Sequence, residues 1–524
     1  MLTLGRNSLD WALNHAVNQG DTDVLPLPFE YEALEHDWDR VRPELEKIDV
    51  LEWSVRPHRT LLAPKGRRGF RVITQLDPLD FLLFTALVYE IGADIEASRI
   101  PASKKMVFSY RFCPQPDGYP FDKDIGFSKF LHRTGEILDN SRNITHVAVT
   151  DIADFYHRIY HHRLENALQA ATSRTSHVKA IMSLLKGWNA TETFGIPVGN
   201  APSRMLAEIA IADVDQDLLA RGIQFVRFND DYRIFASSYA EGYRNLASLA
   251  NVLWSNHGLN LQPQKTDILE VDIFRERYLP NLEDRAFESV RQRFQDLIHQ
   301  LGLAGEYDAI EYDDLDAEQK KVIDSWNLAE MLREELRQSD DPDVQVLRFV
   351  LRRLAQLADA SLVNDVFSQI DALHHVFSDV VRYLQSLRRS SVVDHAEIGK
   401  RVLQLLSDSI VSELEYHRMW ALDMFTHSTE WDSEQEFMRI FSNARDDHSR
   451  RKLILAMGRA GQRYWFQSQW RSLANYTPWP RRALLAASSC LTPDARKAWY
   501  RAIEKQLDPL EKAVMRWARQ NPFA

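Results

Sequence analysis

Apolar and polar positions divide the chain into two stretches with different periods. Up to about residue 275, short runs of β-branched and aromatic residues alternate with helical stretches. HVAVT (146–150) and IQFVRF (223–228) have the composition of buried strands, and PLDFLLFTALVYEIGADI (78–95) has the length and apolar spacing of a helix. The mixture predicts an α+β domain over residues 1–275. After Pro280 strand signals nearly vanish, and 276–319 reads as a connector containing the acidic run DAIEYDDLDAEQ (308–319). From 320 to 524 apolar residues recur at helical spacing, as in Leu362, Val363, Val366, Phe367, Ile370, Leu373 and Phe377, which predicts stacked helices. RRKLILAMGRAGQ (450–462) and RRALLAASSCLTPDARKAW (481–499) each open on a basic pair, one repeat on from the other. A helical-repeat solenoid and an irregular bundle both account for that pattern. Trp420, Trp465, Trp470, Trp479 and Trp499 in this half read as helix-packing residues.

Composition narrows the class. A chain of 524 residues, 45% apolar, buries a large core, and its two cysteines, Cys113 and Cys490, support neither a disulfide framework nor a C-x-x-C zinc site. Neither a leader nor a run of about 20 uninterrupted apolar residues is evident, so a cytoplasmic protein without membrane insertion is expected. The formal charge of −11 excludes a surface basic throughout, and any nucleic-acid contact has to be local. Arg56, His58, Arg59, Lys65, Arg67, Arg68 and Arg71 form one such cluster, which also reads as a solvated loop.

The sharpest chemical signal is FVRFNDDYRIF (225–235), two strand-like runs flanking Asn229, Asp230 and Asp231. A turn uses Asn and Asp for its geometry alone. A second strand, however, ends in Asp151; laid beside the hairpin, it would gather three carboxylates at one end of a sheet. Their repulsion calls for cations, and hard oxygen ligands suit two Mg²⁺ or Mn²⁺ ions, with the Ile152 carbonyl completing one sphere. Such a pair stabilises the attacking and leaving oxygens of an in-line phosphoryl displacement. Three further segments lie in order around these. In PKGRRGFRVITQLDP (64–78), Lys65 and Arg71 can neutralise a triphosphate. In GIPVGNAPSRMLAEIAIADVD (195–215), Gly195, Pro197 and Gly199 give a tight backbone that opens into a helix carrying Ser203. In GLNLQPQKTDIL (258–269), Lys265 either protonates departing pyrophosphate or caps a strand.

These segments, over roughly residues 56–275, resemble the ordered motifs of the reverse transcriptases. The resemblance implies fingers and a palm with a ferredoxin-like βαββ sheet. It also implies that Tyr156, five residues after Asp151, is the aromatic gate that excludes a ribose 2′-OH; core packing is its alternative role. F-N-D-D followed by Y-R-I-F, the run F-Y-H-R-I-Y-H-H-R-L and VFSYRF (107–112) are similar to the bacterial abortive-infection (Abi) and defence-associated reverse transcriptases, whose members carry an all-α HEAT-like domain in place of a typical thumb. Asn229 stands where the family usually has a small or β-branched residue, and Val198 where retroviral enzymes have Gln. That branch implies a phage-defence DNA polymerase using dNTPs and two metal ions. Its synthesis would be untemplated and primed by a protein hydroxyl, with single-stranded DNA as a product that stays attached. It further implies a homo-oligomer, a trimer before a hexamer, and contact with a phage component. The priming hydroxyl is not identified by the sequence; Tyr31 and Tyr383 are candidates, each also suited to burial. Two other readings stay open: a templated, primer-dependent reverse transcriptase, and an inert scaffold that binds a phage component through its helical domain.

Overall fold

The computed structural model describes residues 1–22, 24–189, 191–279, 328–338 and 344–523. Two compact units emerge: Met1–Asp23, Leu27–Arg59 and Thr74–Arg285 form the first, and Val24–Pro26, Thr60–Ile73 and Ala286–Ala524 the second. From residue 280 the expected connector, with its acidic run, lies outside the described residues. A two-stranded hairpin, β1 (Arg59–Lys65) and β2 (Gly69–Gln75), has the body of its strands in the second unit.

In the first unit, α1 (Arg6–Gln19) packs on α2 (Pro78–Ser98). Helix α2 starts where its sequence dictates: the Asp77 carboxylate accepts from the Leu79 amide, and Pro78 occupies the first turn, where no amide hydrogen is needed. It is apolar on all sides and accordingly buried over most of its length. The four-stranded sheet contains β3 (His146–Asp151), β4 (Phe225–Phe228), β5 (Asp231–Ala236) and β6 (Asp267–Glu270) in the order β4-β5-β3-β6, with every pair antiparallel.

Register assigns the two faces of this sheet, because successive side chains alternate. Val147, Val149, Val226, Phe235 and Leu269 form a core with Phe130, Ile137 and Leu138 of α3 (Phe127–Asn140). The opposite face meets α4 (Ala201–Ala210), α5 (Ala212–Ala220) and α6 (Tyr239–Val252). Helix α6 comes close enough that a Cβ on Gly242 would lie 3.1 Å from Ile268.

In the second unit α7 (Glu415–His427), α8 (Asp447–Arg459), α9 (Pro478–Ala487) and α10 (Pro509–Gln520) pack in succession, each on the next. The two similar sequence segments begin in α8 and α9. The second arginine of each opening pair, Arg451 and Arg482, is fully buried, and both guanidinium groups lie over the Trp479 ring, at 5.2 and 4.6 Å from its centroid. Small residues bring these helices together: a Cβ on Gly458 would sit 2.5 Å from that of Ala487. Trp420, Trp479 and Trp499 are buried. Among the described residues no helix is long and apolar enough to cross a membrane.

Candidate active site

Strand register brings the first pair of carboxylates together. Asp151 closes β3 and Asp231 opens β5, and the two are direct cross-strand partners on the face that carries Val147 and Val149. Asp230 occupies the turn between β4 and β5, and its carbonyl accepts from the Ile152 amide at 3.1 Å. Asn229, with φ +55°, makes the turn in the left-handed region that asparagine tolerates better than most residues.

Cationic side chains already hold two of the three. Lys265 Nζ donates to Asp151 Oδ2 at 2.7 Å while half of its side chain stays exposed. Arg233 forks both oxygens of Asp231, and its guanidinium is sandwiched by the rings of Phe130 and Tyr278 at 5.4 and 4.9 Å. Among the described residues Asp230 has no such ion pair. Burial first, and the charge of Asp151 second, push its carboxyl up to about 7. Asp231 is also raised by burial, against the lowering by Arg233. Burial would lower Lys265, but its hydrogen bond to Asp151 and the surrounding carboxylates outweigh that and raise it.

Beneath the turn lies a buried polar scaffold that sequence reasoning did not find. Arg227, on the opposite face of β4 and wholly enclosed, donates to Asp215 at 2.9 Å, to Glu208 at 3.0 Å and to the Asn229 carbonyl at 2.7 Å. Arg99 and Ser109 complete the Glu208 shell. Burial alone would push Glu208 up, yet Arg227 and Arg99 together hold it below its ordinary value. This network fixes where the turn backbone sits relative to α4 and α5.

The remaining expected residues divide into two groups. The Tyr156 hydroxyl donates to Asn229 Oδ1 at 3.2 Å, and Asn229 Nδ2 donates to Asp230 Oδ1 at 2.8 Å, so the tyrosine is tied to the carboxylates through Asn229, one of the two positions that depart from the family pattern. Gly199 has φ +105°, and the Pro197 carbonyl accepts from Asn200 Nδ2 at 3.4 Å. Asn200 caps α4 by accepting from the Ser203 amide, while the buried Ser203 hydroxyl finds no partner among the described residues. Lys65 and Arg71 lie on β1 and β2, in the part of the hairpin that groups with the second unit, and their role at a triphosphate is a proposal. Tyr31 and Tyr383, the candidate priming residues, are both fully buried, Tyr383 donating to the Asp359 carbonyl at 2.6 Å.

The donor set is all hard oxygen, and Asp230, hydrogen-bonded by Asn229, has no ion-pair partner among the described residues. Both properties fit a divalent cation. Among the described residues, however, no three His, Cys, Asp or Glu side chains already stand in a metal-holding arrangement, and Lys265 and Arg233 pair with Asp151 and Asp231. A cation would bind by displacing Lys265 from Asp151.

Residues 115–303 match the family described as reverse transcriptase (RNA-dependent DNA polymerase). No curated protein matches. Among solved structures, similarity extends to telomerase from Candida albicans in complex with a fragment of telomeric RNA, with 13% identity, 80% of this chain and 72% of that one covered, and a TM-score of 0.33. Telomerase from Candida tropicalis is similar at 9% identity, over 72% and 68% of the two chains, with a TM-score of 0.32.

Proposed function

We propose that this chain, which carries a reverse-transcriptase domain, is a DNA polymerase whose reaction centre is the Asp151, Asp230 and Asp231 cluster. The observation that carries the reading is the β3–β5 register, which sets Asp151 opposite Asp231 with Asp230 in the adjoining turn. Mg²⁺ or Mn²⁺ held by these carboxylates and the Ile152 carbonyl would supply charge stabilisation for the attacking and leaving oxygens of nucleotidyl transfer. Around that chemistry the chain's own groups have separate tasks. Lys265, poised 2.7 Å from Asp151 and kept protonated, offers a proton to departing pyrophosphate once it is released from the carboxylate. Tyr156, held by Asn229, limits space at the sugar and selects dNTPs. Arg227 keeps the turn backbone in register.

The resemblance to Abi enzymes and the stacked helices of the second unit support a finer reading: a phage-defence enzyme with a HEAT-like domain that makes DNA without a template and from a protein hydroxyl. Purified protein incubated with Mg²⁺ and dNTPs alone then yields DNA that stays with the protein through denaturation and is absent from Asp230→Ala. Strict dependence on added RNA and primer would instead establish a templated reverse transcriptase. The ion pairs on Asp151 and Asp231 favour one rival, a palm retained as an inert scaffold. Full phage defence by Asp151→Ala in a plaque assay would establish it.

A further inference from the structure

The second unit holds an open cavity of about 300 Å³ with a cationic rim. It forms where the helix Phe377–Ser386 runs into a short 3-10 turn, Leu387–Arg389. Leu387 is fully buried and pins that turn, which leaves Arg388 and Arg389 exposed to solvent. Arg382, half-buried on the helix before it, is steadied with its guanidinium over the Trp420 ring at 4.9 Å. His427, the last residue of α7, and Ser428 complete the rim. Ser428 Oγ accepts from the Glu430 amide at 3.1 Å, so its own hydrogen remains to be donated. Ala355, Met424 and Trp431, each 1% exposed, make an apolar floor.

Positive charge is in excess here. In a chain of formal charge −11, no Asp or Glu among the described residues lines this cavity. Two carboxylates border it. Asp423, which accepts from Gln385 at 3.3 Å and lies 3.6 Å from His427, is buried against Lys452, whose charge it matches. Glu430 lies 3.7 Å from Arg388 Nε, beyond hydrogen-bond range, with both side chains about half exposed. Such a pair contributes at most about 1 kcal/mol. Basic residues at a helix C-terminus ordinarily answer the roughly half a negative charge that collects there. The two helix ends at this cavity and Glu430 therefore offset about two of the three guanidinium charges. One is left over, and a second is freed when a ligand displaces Glu430.

We propose that this cavity binds the di- or triphosphate group of a small ligand, either pyrophosphate or a nucleoside triphosphate. Guanidinium forks pair with phosphate oxygens through parallel hydrogen bonds, and the Ser428 hydroxyl adds a neutral donor. Charge and size select the class together. A phosphodiester linkage brings a single negative charge, whereas a pyrophosphate concentrates several in a small volume, as the unmatched arginines require. The cavity volume stands at the lower end of the range for small-molecule sites, which suits a compact ligand. Its apolar floor excludes water from one side and strengthens the attraction at the rim. The site belongs to the second unit and depends neither on the carboxylate cluster nor on the polymerase reading.

Calorimetric titration of the full chain in EDTA tests it, because no divalent metal is then present to bridge phosphate to Asp151, Asp230 and Asp231. Pyrophosphate and tripolyphosphate are expected to bind roughly tenfold tighter than sulfate at matched ionic strength. The double variant Arg388→Gln, Arg389→Gln weakens both roughly tenfold or more, the worth of a charge-assisted hydrogen bond. Ser428→Asp can still accept from the Glu430 amide, so it keeps the local fold, adds a negative charge and weakens binding too. Arg439→Gln, at an exposed arginine outside the cavity, leaves binding unchanged. dATP that binds at least as tightly as tripolyphosphate identifies a nucleoside triphosphate as the ligand, and weaker dATP binding identifies free pyrophosphate. Sulfate that binds as tightly as pyrophosphate overturns the proposal, as does unchanged affinity in both the arginine and the Ser428 variants. So does a short oligo(dT) without terminal phosphate that competes as well as pyrophosphate, which would assign the rim to a DNA strand. Binding at the wild-type level by Asp230→Ala is expected whether or not the chain makes DNA, so the failure of one reading leaves the other standing.

Discussion

Replacing Arg227 by methionine removes the guanidinium that joins the turn to α4 and α5. The side chain is wholly buried, and its loss strands Glu208 and Asp215 without their shared cation and the Asn229 carbonyl without its donor. Breaking a buried pair from one side costs roughly 3–5 kcal/mol, because a desolvated charge is left behind. That is a large share of a domain stability of about 5–15 kcal/mol. The first unit's melting transition should therefore fall on the order of 10 °C, measured by calorimetry at neutral pH. Stability and turn geometry separate in the double variant Arg227→Met, Asp215→Asn, which leaves Glu208 paired with Arg99. The neutral amide of Asp215→Asn carries no stranded charge, so most of the melting temperature returns, while dNTP incorporation stays low because the Asn229 carbonyl remains unanchored. A loss below about 1 kcal/mol in the single variant would refute the energetic argument. Full synthesis by the double variant would refute the positioning role.

Further expectations follow from the same groups. Asp230, raised to about 7 from 3.8, binds its proton more tightly in the folded state, so its contribution to stability is present at low pH and is lost as pH rises between those values. Asp230→Asn should accordingly raise the melting temperature at pH 8, change it little at pH 4 and abolish synthesis; destabilisation at pH 8 would contradict the burial argument. Lys265→Met frees Asp151 from its competing cation, so the Mg²⁺ concentration for half-maximal synthesis should fall while the maximal rate also falls, and a rise in that concentration would show that Lys265 does not compete. Tyr156→Val should narrow the preference for dNTPs over NTPs, read by incorporation of each; an unchanged ratio would return Tyr156 to a packing role. Gly458→Ala, which places a methyl 2.5 Å from the Ala487 Cβ, should cost the second unit roughly 1–3 kcal/mol by overpacking.

Much of the carboxylate-bearing end of the sheet was legible because its signals are local. The strand HVAVT ends where its β-branched run ends, and the hairpin reads from two aromatic-rich runs around N-D-D. The scaffold behind it was not legible in the same way. Arg227 occupies an alternate position in F-V-R-F, where a charged residue ordinarily faces solvent, and its partners lie on helices that pack across the sheet. One signal was available: Glu208 interrupts the apolar run M-L-A-E-I-A-I, and a lone acid on a buried helix demands a buried cation. The ion pairs of Asp151 and Asp231 depend on side-chain geometry that spacing does not encode, although Arg233, two residues beyond Asp231 on the same strand, necessarily shares its face. The grouping of residues 60–73 with the helical unit is a long-range property, invisible to local composition.

Electron paramagnetic resonance of Mn²⁺ titrated into the protein with dATP present addresses the carboxylate cluster itself. The account expects two protein-bound ions for each chain in wild type, and loss of binding in both Asp151→Asn and Asp230→Asn. Equal Mn²⁺ uptake by wild type and Asp230→Asn would mean that Lys265 and Arg233 neutralise the site permanently, and that it is no polymerase centre.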